Sequence, residues 1–263
     1  MNRIFELLSL DDNKIDFYIN TRLSELNIDG CYDEITLSAD GGNIYQNWIN
    51  TNTTYLPSGN RSKGFKIDAQ FIKDFIVDTR EKFGKIPMDK LRERLTEDKL
   101  IQWFNMYVIN YFGSQYDEIK RKEIYGYGLL NSIGQNIDIS SLKGLDVARC
   151  IEKSAALNQI LNFLDINSSL VVSEANNVGH AYCLVKTDGK YYVVDPNFYG
   201  MDSNEKGIPY IFEMDPHNES CSFDPSLFGD DSSLKINYSF PSHIFSEMRL
   251  WYNKIEVKIW KNM

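Results

Sequence analysis

Three side chains in the middle of the chain, Cys150, His180 and Asp195, have the types and the order that thiol chemistry requires. A cysteine attacks a carbonyl as thiolate, and a free thiol titrates near about 8.5, so a nucleophilic cysteine needs a helix N-terminus, an imidazolium neighbour, or both. ARCIEKSAALNQILNFL, residues 148–164, carries apolar residues at helical spacing, which puts Cys150 in the first turn, where free N–H groups and the macrodipole favour an anion. His180 begins the strand-like run HAYCLVK, and Asp195 closes the next run, KYYVVDP. A carboxylate there would hold the imidazole in one tautomer. Taken singly, each residue has an ordinary reading: a helix cysteine as a small buried apolar group, a strand histidine as packing, Asp195-Pro196 as a turn. The ordered set points to chemistry.

The pairing of the two strands can be worked out from residue numbers. The runs flank Thr187-Asp188-Gly189, a hairpin signal. If Thr187 opposes Lys190, Tyr182 opposes Asp195, and His180 and Asp195 become diagonal neighbours on one face, about 7–8 Å apart at Cβ or less. If Lys186 opposes Gly189, the two residues are directly opposed. A one-residue slip would separate their faces. Cys183 has the other parity and is expected to point away from the site. A zinc site from Cys150, His180, Cys183 and Asp195 has suitable residue types, but the parity and the lack of paired-ligand spacing stand against it.

The segments GLDVARCIEKSAALNQILNFLDINSSLVV and GHAYCLVKTDGKYYVVDPNF, within residues 144–200, resemble the core of the transglutaminase-like proteins among the papain-like cysteine enzymes. The shared pattern is a Cys opening a helix, an Ala/Leu-rich helix, an Ile- or Val-rich strand, a His-aromatic strand and an Asp-Pro strand end. The resemblance implies an α+β fold in which the Cys helix packs on an antiparallel sheet bearing His and Asp. It also implies Cys150 as nucleophile, His180 as general base and acid, and Asp195 as orienter. The sequence departs from that pattern at Arg149, where the family often has Gly, and at Tyr182, where many members have Trp. An oxyanion hole needs donors besides the Cys150 backbone N–H. Papain-like enzymes draw one from upstream, which nominates Gln135, with Gln102 or Trp103 as alternatives; Asn197 could share the orienting role. Arg149, Cys150 and Glu152, with the His-to-Asp interval, also resemble arylamine N-acetyltransferases.

Other elements must position this set. FKIDAQFIKDFIVDTREKF and LTEDKLIQWFNMYVINYF read as amphipathic helices broken at GKIP, with Thr96 as a cap; QYDEIKRKEIYGYGLL reads as a further helix and IGQNIDISSLKGLD as loop. On the Cys150 helix, Leu157, Ile160, Leu161 and Leu164 share the inward arc, and Glu152, Asn158, Gln159 and Asn162 are expected to face outward. Residues 201–240 read as loop with one strand, IPYIFEM. The division expected is a mainly helical N-terminal region, 1–115, and a transglutaminase-like catalytic domain, 116–263.

Composition narrows the function. The 263 residues are 43% hydrophobic and 25% charged, as in ordinary globular proteins. A net charge of −9 disfavours nucleic acid as a partner. No apolar run has the roughly 18 residues of a membrane span, and the N-terminus lacks a signal-peptide pattern, so a cytoplasmic protein is expected. The four cysteines, Cys31, Cys150, Cys183 and Cys221, are too sparse and irregular for a disulfide scaffold, and reduced thiols are expected. No cofactor or metal is called for. A peptide or protein substrate is expected, and oligomeric state is not written in the sequence. The leading expectation is a cysteine-dependent acyl-transfer enzyme, a peptidase, amidase or transglutaminase. The competing one is a scaffold protein that keeps the fold without the reaction.

Overall fold

The amphipathic pattern over 65–112 folds into three helices, α3 (Ala69–Phe83), α4 (Met88–Arg94) and α5 (Glu97–Phe112). The computed structural model describes residues 2–25, 44–46, 65–113, 116–125, 137–175, 178–187, 190–198, 208–213, 220–223 and 236–239. Phe71, Phe75 and Ile76 on α3 and Phe104, Val108 and Phe112 on α5 are completely buried, as the i, i+3, i+4 spacing requires. Each such side chain contributes about 1.5–3 kcal/mol on burial. Thr96 holds the N-cap of α5 in extended backbone, but its hydroxyl makes no capping bond. Helices α1 (Asn2–Ser9) and α2 (Asp12–Glu25) precede this set, and α6 (Glu118–Tyr125) follows it.

Helix α7 spans Cys150–Phe163. Its apolar residues Leu157, Ile160 and Leu161 are fully buried, but so are Glu152, Lys153, Ser154, Asn158 and Gln159. The outward face expected for Glu152, Asn158 and Gln159 is therefore incorrect. A 3.6-residue pattern tells polar from apolar positions, yet here α5 lies against the helix as well as strands β4 (Ser168–Ala175), β5 (Val178–Thr187) and β6 (Lys190–Phe198), leaving no open side. Buried polar side chains must then find partners inside, and most do. Ser168 Oγ bonds Asn158 Oδ1 at 2.8 Å, and Ser154 Oγ donates to the Ala181 carbonyl at 2.8 Å.

The strands form a mixed-order antiparallel sheet of seven strands among the described residues, in the order β7 (Ile208–Glu213), β6, β5, β4, β9 (Ile236–Ser239) and β8 (Ser220–Phe223), with β1 (Ile44–Gln46) also on β4. Strands β7, β8 and β9 occupy the stretch read as loop with a single strand. They are short and pair at long range, β7 on β6 and β9 on both β4 and β8, so no local pattern announces β8 or β9. The stretch 137–142, also read as loop, holds β3 (Ile137–Asp138), paired in parallel with β2 (Phe65–Lys66), and a single turn of 3-10 helix over Ile139–Leu142. The architecture is α+β, and one buried cluster joins α1, α3, α5, α7 and the sheet.

Both ends of α7 are tied down. The segment that enters it is stitched to the end of α5: Gly144 N donates to the Tyr111 carbonyl at 2.8 Å and Asp146 N to the Phe112 carbonyl at 3.0 Å. Gly113 lies at φ 95 beside Asp146, so close that a Cβ there would collide with the Asp146 carboxylate. Past the other end, Asp165 takes a left-handed φ of 59 and receives two arginines, Arg3 Nε at 2.6 Å and Arg22 Nη2. Arg22 Nε also donates to the Phe163 carbonyl at 3.2 Å, satisfying one of the acceptors that a helix end leaves over.

Candidate active site

Cys150 is the first residue of α7, with Arg149 as its N-cap. The Arg149 backbone N–H donates to Glu152 Oε2 at 2.9 Å, one half of a capping box. The other Glu152 oxygen, Oε1, accepts from Arg121 Nη1 at 2.6 Å, and both side chains have zero exposure. Arg121 Nη1 also reaches the Val147 carbonyl at 2.6 Å, and its guanidinium lies 4.6 Å from the centre of the Tyr125 ring. Glu152 does lie in the first turn of α7, but it faces inward rather than outward and forms a buried link between α6 and the turn that carries the thiol. Arg149 itself turns to the surface, where Nη2 pairs with Glu118 Oε2 at 2.7 Å and the guanidinium stacks on Tyr116.

The hairpin from β5 to β6 has a two-residue connection with Thr187 opposite Lys190 and Cys183 opposite Val194. This is the register that makes His180 and Asp195 diagonal neighbours. His180 Nε2 lies 2.6 Å from Asp195 Oδ2. Asp195 is completely buried, and His180 keeps a tenth of its side chain exposed. The imidazole stacks on Tyr182, the next residue on the same strand face, with ring centres 6.3 Å apart. From α5, Asn105 Nδ2 donates to the main-chain carbonyl of Asp195 at 3.3 Å.

The sulfur of Cys150 is hydrogen-bonded to the His180 ring and receives the backbone N–H of Ala181. The Ser154–Ala181 bond, one helical turn along from Cys150 and one residue along from His180, fixes the helix against the strand at this point. Burial opposes ionisation of Cys150, as does the Glu152 charge, but the hydrogen bond and charge of His180 and the Ala181 amide outweigh them, holding the thiol below its usual range. Burial likewise opposes a charged His180, and Asp195 and the Cys150 sulfur overcome it, pushing the imidazole up to about 10. The two shifts run in opposite directions, and both favour moving the proton from the sulfur to the ring.

Two further groups lie close by. Lys153 is buried next to this centre, its Nζ donating to the Gly113 carbonyl at 3.3 Å. Burial draws its amine down to about 8, against the pull of Glu152, Asp146, Cys150 and Asp195. Cys183, buried and reduced, turns to α7 and bonds the Ser154 carbonyl at 3.1 Å, so the four residues of the zinc alternative do not converge. Among the described residues, no group of three or more His, Cys, Asp and Glu is arranged to hold a metal ion.

Of the other residues singled out in the sequence, Gln135 lies outside the described residues, as does the side chain of Asn197 in β6. Gln102 is turned to solvent, and Trp103 packs among Phe75, Phe83, Phe104 and Tyr107 with the Lys82 amine over its ring. Sequence reasoning did not find Asn105 or Arg121. Asn105 lies among the apolar positions of α5, and a polar residue at a core position is the one signal that could have marked it. Among the described residues, no helix is long and apolar enough to cross a membrane. Comparison with known proteins found no matching family model, no matching curated protein and no matching solved structure.

Proposed function

We propose that this protein is a cysteine-dependent acyl-transfer enzyme built on a transglutaminase-like core, acting on an amide bond of a peptide or protein. The observation that carries this reading is the continuous chain from Cys150 Sγ through His180 to Asp195, with the thiol held low and the imidazole held high. Cys150 attacks the carbonyl carbon, and its electrons pass to the carbonyl oxygen. The Cys150 backbone N–H, which as the first of the helix has no acceptor within it, can receive that oxyanion. His180 then gives its proton to the leaving nitrogen as the C–N bond breaks, leaving a thioester and neutral imidazole. Water or an amine, deprotonated by His180, attacks the thioester and releases the thiolate. Hydrolysis and transfer share every step except the identity of that last nucleophile. Asp195 holds the ring in the tautomer that both half-reactions use.

Iodoacetamide labelling, read by mass spectrometry across pH, tests this directly. At pH 6 Cys150 is expected to react on the order of 10²-fold faster than an ordinary thiol, which is mostly protonated there. Slow labelling of Cys150, equal to that of the other cysteines, would instead favour a scaffold protein. Acetylation of Cys150 by acetyl-CoA would move the assignment to the arylamine N-acetyltransferases.

A further inference from the structure

A carboxylate two residues along the helix from a thiolate is an unexpected neighbour, because like charges at close range disfavour each other. Glu152 is nonetheless completely buried in the first turn of α7, and its charge does act against ionisation of Cys150. It is retained in a position with a clear structural use: Oε2 pins the Arg149 N–H and so fixes the peptide that joins Arg149 to Cys150. The cost of its charge is met by Arg121 from α6, equally buried, 2.6 Å from Oε1. Arg121 is anchored a second time on the Val147 carbonyl, in the segment leading into α7, so one guanidinium nitrogen holds both sides of the turn before the sulfur.

We infer that Arg121 is a positioning residue for Cys150: it holds Glu152 against the Arg149 amide and cancels the carboxylate's charge beside the sulfur. The inference rests on the reading of Cys150 as the nucleophile. It assigns a role to a residue that touches neither the sulfur nor any reacting atom.

The charged and titratable groups around Cys150 come from several elements. His180 on β5 and, behind it, Asp195 on β6 face it from the sheet; Glu152 and Lys153 lie on its own helix; Arg121 and Glu118 approach from α6, Glu118 paired with Arg149. The Arg121–Glu152 pair can be changed without touching the hydrogen bonds of the sulfur, which come from His180 and Ala181. The two members of that pair have opposite signs, which gives a test that a purely structural role would fail.

The experiment is the pH midpoint of Cys150 labelling by iodoacetamide in the full chain and in three variants. Arg121→Gln leaves Glu152 charged and uncompensated, and is expected to raise the midpoint by about one pH unit. Glu152→Gln leaves Arg121 uncompensated and removes the repulsion, and is expected to lower it by a similar amount. The double variant Arg121→Gln with Glu152→Gln has neither charge and is expected to return close to the parent. Should Arg121→Gln fail to fold, Glu152→Gln below the parent and the double variant level with it still support the inference. Shifts of Arg121→Gln and Glu152→Gln in the same direction, or no shift in Glu152→Gln, overturn it. A parent whose Cys150 labels no faster than Cys183 at pH 6 overturns the acyl-transfer reading itself, a different result from a fast parent with variants that fail to diverge.

Discussion

Cys150 and Cys183 lie along the same seam between α7 and β5, both reduced, and their sulfurs ionise in opposite directions. Burial acts against the thiolate in both. At Cys183 it prevails, and the thiol is pushed well up, with Asp195 adding to the effect. At Cys150 it is overcome. What differs is the kind of partner. Cys183 donates to the Ser154 carbonyl, which can only accept and so rewards the S–H form, and the Asn158 backbone N–H alone does not offset burial and Asp195. Cys150 meets an imidazole and a backbone N–H, which donate and so reward the bare sulfur. Cys150 also keeps some exposure where Cys183 has none, so its burial penalty is met by an imidazole that Cys183 lacks and by a less enclosed position.

Removing the donor should erase most of that contrast. His180→Ala is expected to slow Cys150 labelling at pH 6 by about 10²-fold, bringing it towards the rate of an ordinary thiol. Thermal melts must show the variant still folded for the comparison to stand. A rate that stays high would mean the helix N-terminus alone activates the sulfur. The ring itself carries a signed pH dependence. Its folded value of about 10 lies above the ordinary 6.5, so its contribution to stability is complete below about 6.5 and fades as pH rises through 10. Asp195→Asn should pull that upper limit down, seen as a loss of thermal stability that begins at lower pH.

Lys153 sharpens the comparison from the side of a cation. Its amine is drawn from 10.5 to about 8, so the folded state binds its proton less tightly than the unfolded chain does. The penalty is complete below about 8 and is relieved as pH rises from 8 to 10.5. Lys153→Met is expected to stabilise the protein at pH 7 by on the order of 2 kcal/mol in urea unfolding, with the gain shrinking above pH 8. A loss of stability would show that the bond to Gly113 outweighs the buried charge. The smallest effect belongs to Cys183. Cys183→Ala removes one sulfur and one hydrogen bond, and is expected to cost about 1–2 kcal/mol while leaving the Cys150 labelling profile unchanged.

The seam itself was legible in advance. β-branched runs broken by a two-residue turn signal mark β5 and β6, and the parity of residue numbers puts His180 and Asp195 on one face. The start of α7 at Cys150 follows from the apolar period. What the period could not reveal was the enclosure of α7. Glu152, Asn158 and Gln159 have the polarity of a solvent face, and only the placing of α5 across the helix from the sheet turns them inward. Asn105 and Arg121 were missed for a related reason. Each acts on a residue far along the chain, on Asp195 and on Val147 and Glu152, and sequence spacing carries no record of such encounters. Strands β8 and β9 are four residues each and owe their existence to pairing partners supplied by the fold.

The clamp on Asp165 has a consequence for how the thiol end behaves. Helix α7 is a stiff rod gripped along its length, with its far end held through Arg3 and Arg22 by the first two helices of the chain. A rod held this way answers a push at one end by shifting as a piece. The opening residues of the chain thus serve as a distant mounting for the sulfur, and loosening them would show up as misalignment at the opposite tip.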